Sequence, residues 1–478
     1  MRNNAQPLVL AIDQGTGSTK TLLVDGTGKV VAKASSPVGQ SHPRPGWVEQ
    51  SPDEIWASVR RAVHDCVAAE LADRVVAVGV SSQRESLVLW DRRTGEPAGP
   101  LLGWQDRRTA AVCAEMAASG VGDLVRTVSG LPLDPMFSAL KARWLLDAYD
   151  PERTGRFCLG TVDSWLLSRL GGPHRTEIGN ASRTQLMDVA SGQWDERLLE
   201  LFRVPRAVLP EIVASTGPFP AVRDLAPLPD GVPVHAVMGD SHAALFAHAG
   251  WRSGVLKATY GTGSSVMAVG EDGAGGGLCR TVAWEIDKPV LALEGNILAT
   301  GQTIVWLAEV LGITPDALLD EAASATSDGV HLVPAFGGLG APWWNPDATT
   351  VLSGMTLGTR RAHIAAAAVE SVAFQVADVV SAIERATGPV DVLVGDGGLT
   401  RSDHLMQLQA EISGRRVARS REPDLSALGV AQLAGLRAGV WSWHDLEDWP
   451  RRTDEFCPQG SGADRRDAWR RAMQRSTR

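Results

Sequence analysis

The sequence predicts an α/β protein made of two domains that repeat one design. Three observations carry this. The chain has 478 residues, too many for one compact core. Short apolar, β-branched runs alternate with stretches at helical spacing. The string Gly-Thr-Gly-Ser stands at residues 15–18 and again at 261–264, each time between two strand-like runs.

In the first half, Leu8–Ile12, Lys20–Asp25 and Val30–Ser35 read as strands, with Gly15–Thr19 as a turn between the first two. Ser51 reads as a helix N-cap, Pro52 as the first helical residue, and Glu54 as the partner that completes a capping box. Ile55, Val59, Val63 and Val67 then follow at helical spacing, so this helix should lay one face on a sheet. Val75–Val80 is apolar without interruption and reads as a buried strand. The second half restarts with the strands Val255–Tyr260 and Ser265–Val269 around the second Gly-Thr-Gly-Ser. The expected division is 1–248 and 249–478. The tail from Pro450 is rich in Arg and Asp and reads as ending in a solvated helix.

Composition narrows the function. Hydrophobic residues make up 44% and charged residues 21%, the balance of a folded globular protein. A net charge of −9 gives no general attraction to nucleic acid or anionic lipid, so an anionic ligand needs a local site. Five cysteines lie far apart with no C-x-x-C, which fits a reducing compartment. The apolar run before Asp13 is too short for a signal peptide, and no stretch reads as long enough to cross a bilayer. The expectation is a cytoplasmic protein with neither nucleic acid nor membrane as partner.

Four segments could carry chemistry. Asp13-Gln14-Gly15-Thr16-Gly17-Ser18-Thr19-Lys20 ends a strand with a carboxylate, then offers backbone N–H groups and a cation to a phosphate. It is neither a Rossmann fingerprint nor a Walker A loop, lacking the third glycine of one and the Gly-Lys of the other. In isolation a plain hairpin turn is the better reading of such a string. Gly395-Asp396-Gly397-Gly398-Leu399 lies between the strand-like Val392–Val394 and the helix-like His404–Ile412, where a flat ligand or phosphate can approach the backbone. Asp240 follows the strand-like Val234–Val237, at the carboxyl end where open α/β sheets place ligands. A lone Asp there is more often a cap, and His242 reads as structural. Arg84 and Glu85 follow a buried strand and must be solvated, paired or bound to something polar. With the indole of Trp104 they suit vicinal hydroxyls on a short carbon skeleton.

Together these segments resemble the FGGY carbohydrate kinases, most closely the glycerol kinases among them. The resemblance runs from about Leu8 to Gly439 and is carried by AIDQGTGSTK, PGWVEQSPDEIW, SSQRES, GWQDRRT, GTVDSWLL, NASRTQLMD, GDSHAAL, TYGTGSS, PAFGGLGAPWWNP, GDGGLT and SALGVAQLAGL. It implies two actin/hexokinase-like (ribonuclease H-like) domains with an interdomain cleft. It also implies phosphorylation of a polyol or sugar hydroxyl by ATP and Mg²⁺, in a homodimer or homotetramer. By the same resemblance, Asp240 is the catalytic base, and Asp13 with Asp240 positions the metal. Thr16, Gly17, Ser18 and Lys20 form the first phosphate turn, and Gly261, Thr262 and Gly263 the second. Gly301, Gly397, Gly398, Leu399 and Ser402 complete the nucleotide site. Arg84, Glu85, Trp104, Met136, Asp240, Ser241 and Ser265 form the acceptor pocket.

Four positions depart from the glycerol kinase pattern. Met136 stands for a Tyr, Ser241 for a Gln, Ser265 for an aromatic residue, and Lys20 for an Arg. The first three belong to the acceptor pocket, and two of them lose bulk, which suits a longer acceptor such as a pentulose or pentitol. Lys20 keeps the charge of Arg and loses its planar fork. The Gly-Lys-rich regulatory run of some bacterial members has no counterpart in Arg223–Pro233. A sugar-responsive regulator without activity is the reading from another class, and it is disfavoured because Asp13, Asp240 and both turns are retained.

Overall fold

The structure is a computed structural model that describes residues 6–270, 276–460 and 462–477. The chain groups into two compact units. Unit 1 holds Met1–Ala249, Arg280–Leu291 and Asp424–Trp449; unit 2 holds Gly250–Cys279, Ala292–Pro423 and Pro450–Arg478.

Unit 1 is built on a five-stranded sheet in the order Val234–Gly239, Val75–Ser82, Leu8–Gln14, Ser18–Asp25, Val30–Pro37. The last three form the antiparallel meander expected from the sequence, and the first three are parallel. Val75–Ser82 is an interior strand, buried except at Val76, which is 39% exposed. Register decides what meets at the carboxyl edge. Asp13 pairs with Ser81, and Ser81 also pairs with Met238, so the residues that follow these strands emerge side by side.

The helix Pro52–Cys66 covers this sheet with Ile55, Trp56, Val59, Ala62 and Val63. Ser51 caps it, its hydroxyl accepting from Glu54 N at 3.3 Å. The expected capping box is only half formed. Glu54 turns its carboxylate to the Gly39 N–H (3.0 Å), which ties the helix to the loop after the third strand. The helix Leu425–Arg437 packs on the same unit although it lies far along the chain. A Cβ on its Gly429 would come within 1.8 Å of the Ala243 carbonyl, so only glycine lets these two backbones touch. A second sheet of unit 1 runs Glu49–Gln50, Leu101–Leu102, Leu87–Asp91, Phe157–Thr161. Its strand Leu87–Asp91 is buried on both faces: Val88 and Trp90 enter one core, Leu87 and Leu89 another.

Unit 2 repeats the opening design. Val255–Tyr260 pairs antiparallel with Ser264–Val269 across Gly-Thr-Gly and parallel with Val392–Asp396, as Leu8–Gln14 does with its two neighbours. Arg416–Ser420 and Thr453–Phe456 extend the sheet.

Two expectations fail in unit 2. The helix Arg361–Thr387 has 27 residues and a mean hydropathy of 1.5 in its most apolar window, long and apolar enough to cross a bilayer. Most of that window, 83%, is buried inside unit 2, where Val369, Val372, Phe374 and Val376 are core residues. Its interrupted alanines and polar Glu370 and Gln375 hide its length from a scan for continuous apolar runs. The C-terminal helix Ala463–Ser476 is likewise not fully solvated. Trp469, Ala472 and Met473 are buried, Trp469 stacks on Phe374 at 5.0 Å, and its indole N–H donates to Asp378 at 2.8 Å. Asp464, Asp467, Arg470, Arg471 and Arg475 are exposed and masked the stripe, while Arg465 and Arg466 turn inward to Glu370 (2.8 Å) and Ser381 (2.8 Å).

Candidate active site

At the carboxyl edge of the unit 1 sheet, Asp13 is the penultimate residue of one strand and Asp240 follows another. Asp13 is buried and accepts a hydrogen bond from Ser81 Oγ at 2.7 Å. Burial pushes its pKa up to about 7, and the charge of Asp240 pushes the same way while the Ser81 bond opposes it. Asp240 is the first residue of the helix Asp240–Ala247. Its Oδ1 accepts from the Ser241 N–H at 2.6 Å. Two mutually repelling carboxylates with only oxygen donors fit a hard divalent cation. Among the described residues no group of three or more His, Cys, Asp or Glu could hold a metal, so further oxygens would come from a ligand and water.

Arg84 and Glu85 are buried rather than solvated, which leaves pairing or ligand binding as the reason they are tolerated. Arg84 Nε lies 3.6 Å from Asp240 Oδ1 and 4.0 Å from Glu85 Oε1. Its Nη1 lies 3.2 Å from His242 Nε2, so His242 supports the guanidinium from within the fold. Glu85 adopts φ 61°, a left-handed conformation that costs a non-glycine residue about 1–3 kcal/mol. Its carbonyl accepts from Ser138 Oγ at 3.0 Å and Lys141 Nζ at 3.4 Å, and its carboxylate from Arg183 Nε at 2.6 Å. Lys141 also donates to the Met136 carbonyl, and burial brings its pKa down to about 8. Met136 itself is buried, its N–H held by Asp134 at 2.8 Å.

The first glycine turn is closed by Gly15 N–H to Ser18 O at 3.0 Å. Trp104 donates its indole N–H to Thr16 Oγ1 at 3.1 Å, so the expected hydrophobic wall is fastened to this turn. A chain of amides supports both. Gln50 Nε2 donates to Thr16 O (2.9 Å), Gln83 Nε2 donates to Gln50 (2.9 Å) and Gln14 (3.2 Å), Ser86 Oγ donates to Gln83 (2.8 Å), and Trp104 N–H donates to Ser86 Oγ (3.0 Å). Lys20, expected to be available to a phosphate, is in an ion pair with Asp424 at 3.1 Å and remains 40% exposed. Gly17 and Ser18 complete the turn.

The remaining predicted residues belong to unit 2. Gly261 N–H donates to Gly263 O at 3.0 Å, which closes the second turn. The start of the helix Gly301–Leu311 is stitched to it, with Gly301 N to Gly261 O at 3.0 Å and Gln302 N to Thr262 O at 3.0 Å. Gly397 has φ +97°, and a Cβ there would lie 2.5 Å from Tyr260 O, at the residue before the turn. Gly398 and Leu399 lead into a single 3-10 turn. Turn, helix start and Gly397 therefore form one backbone surface, with the helix N-terminus suited to an anion. Ser402 caps the helix Asp403–Ser413 through Leu405 N at 3.2 Å. Ser265 donates to the buried Glu294 at 2.6 Å, an engagement that nothing in its local sequence signals.

Sequence reasoning missed Gln14, Gln50, Gln83, Lys141 and Arg183. All lie in or beside the motifs above, but the pairs they form span distant segments. Arg108 has no role legible in its local sequence. It is buried between Trp47 (3.8 Å) and Trp144 (4.4 Å) and paired with Asp106 and Glu49, which fixes the segment bearing Trp104.

Comparison with known proteins gives consistent matches. The profile of the N-terminal domain of the FGGY family of carbohydrate kinases matches residues 8–247, and that of its C-terminal domain matches residues 256–438. A glycerol kinase of Paraburkholderia phytofirmans is 41% identical over 485 residues, 97% of each chain. One of Methylorubrum extorquens is 43% identical over 490 residues, 98% of this chain and 97% of the relative. The crystal structure of Plasmodium falciparum glycerol kinase with ADP superposes with a TM-score of 0.91 at 31% identity, over 99% of this chain and 98% of that one.

Proposed function

The chain belongs to the FGGY family of carbohydrate kinases, and from that premise we propose that it transfers the γ-phosphoryl group of ATP to a hydroxyl of a small polyol. The observation that carries the reading is the placement of Arg84 within 3.6 Å of Asp240 and 4.0 Å of Glu85. One guanidinium thereby fixes the group that takes a proton relative to a group that accepts hydrogen bonds from hydroxyls.

In this mechanism Asp240 accepts the proton of the acceptor hydroxyl as that oxygen bonds to the γ-phosphorus. The bond from phosphorus to the β–γ bridging oxygen breaks, and ADP leaves. A base of this kind contributes roughly two to four orders of magnitude in rate. Arg84 and Glu85 hold the acceptor hydroxyls, and Trp104 and Met136 flank its carbons, with Ser241 and Ser265 as the other lining positions. The N–H groups of Thr16–Ser18 and of Gly261–Gly263 receive phosphate oxygens, with Lys20 and Thr262 beside them. Gly301, Gly397, Gly398, Leu399 and Ser402 are the nucleotide positions. Bound Mg²⁺ would neutralise phosphate charge, and Asp13 and Asp240 are the residues that would hold it. Use of ATP fits a cytoplasmic enzyme.

The acceptor is glycerol or a somewhat longer polyol or ketose. Names of the relatives favour glycerol. Met136, Ser241 and Ser265 favour a second reading, a pentulose or pentitol, because two of them are smaller than the residues they replace. Coupled detection of ADP release across C3 to C6 polyols and ketoses tests both. Turnover should appear with at least one C3 to C5 acceptor, and no turnover with any would overturn the proposal.

A further inference from the structure

We infer that Arg183 is a positioning residue for the acceptor, acting through Glu85; the inference rests on the kinase reading above. Arg183 is fully buried, and its Nε lies 2.6 Å from Glu85 Oε1, a charge-assisted bond much shorter than the 4.0 Å from Arg84. The Phe137 ring lies 5.1 Å from the guanidinium carbon, and the Arg183 N–H is anchored on Asn180 O at 3.1 Å.

The division of labour around Glu85 is what separates positioning from general support. Its backbone, in the left-handed conformation, is held by Ser138 and Lys141 through its carbonyl. Its carboxylate is held by Arg183. Loss of Arg183 therefore leaves the backbone turn in place and releases the side chain that meets the acceptor. Arg84, 4.0 Å from the Glu85 carboxylate, is then the guanidinium left beside it and is drawn from Asp240, which it now approaches at 3.6 Å. A lysine would keep the charge but not the planar fork, so it should restore only part of the effect.

The test uses the full-length enzyme with ATP and, in turn, glycerol, erythritol, xylitol and xylulose. For the acceptor with the highest kcat/KM, Arg183→Met should raise acceptor KM about tenfold or more, with ATP KM within about twofold. Arg183→Lys should fall between, with an unchanged melting temperature. In a double-mutant cycle, Arg183→Lys should have little further effect once Glu85→Gln is present. An unaltered acceptor KM in Arg183→Lys, a parallel rise of both KM values, or additive effects in the cycle would overturn the inference. Each of those results presupposes an active wild type and leaves the kinase reading standing. A wild type inactive on all four acceptors overturns that reading, and the inference with it.

Discussion

The indole N–H of Trp104 donates to Thr16 Oγ1 at 3.1 Å, so a residue expected to line the acceptor pocket is bonded to a residue expected to meet phosphate. Trp104 and the first glycine turn are thus tied together within unit 1, braced by Gln50, Gln83 and Ser86. Trp104→Phe keeps the apolar face and removes this bond. We expect the KM values for ATP and for the acceptor to rise together by about three- to tenfold, the worth of one neutral hydrogen bond. Steady-state kinetics with either substrate varied would show it; a rise confined to the acceptor would separate the wall from the turn.

Asp240→Asn preserves the size of the side chain and removes its basicity. Turnover should fall by roughly two to four orders of magnitude, while acceptor binding measured by calorimetry stays within about threefold. Near-normal kcat would remove Asp240 from the role of base.

In unit 2, a Cβ on Gly301 would lie 2.5 Å from the Gly261 carbonyl. Gly301→Ala should therefore displace the second turn, whose own closing bond, Gly261 N to Gly263 O, is 3.0 Å. The expected result is an ATP KM raised about tenfold or more with acceptor affinity retained, read from initial rates and from titration with a non-hydrolysable ATP analogue.

His174 offers a pH test away from the site. Burial, then the nearby Arg92 charge, brings its pKa down from 6.5 to about 4, while its bond to the Leu159 carbonyl opposes the shift. Between those values the unfolded chain binds more protons than the folded one, so stability rises with pH. The contribution is complete above pH 6.5 and is lost as pH falls toward 4, up to about 3 kcal/mol. Denaturant melts at pH 7 and pH 5 should differ less for His174→Gln, which can still donate to Leu159, than for the wild type. Equal slopes would contradict the assignment.

Much of the candidate site was legible because its residues sit where short-range rules operate. The strand before Asp13, the two Gly-Thr-Gly-Ser turns and the strand before Asp240 each follow from alternation, glycine content and apolar runs. Other features escaped these rules. Glu85 at φ 61° has no glycine to announce it. Glu54 carries the residue pattern of a capping box but binds Gly39. Trp469 lies in a string of charges that reads as solvent-facing, yet it is stacked on Phe374.

The sequence by itself determined the α/β alternation and the repeated hairpin, since periodicity and turn chemistry are properties of neighbouring residues, and the resemblance of its ordered segments pointed to the family. Tertiary structure decided which of them meet. Strand register sets Asp13 beside Ser81 and, through Met238, beside the start of the Asp240 helix. Packing brings Arg183 to Glu85 across 98 positions of the chain and lays Gly429 on Ala243. Such contacts depend on close-packed surfaces and on buried charges finding partners, and no local window of sequence records either.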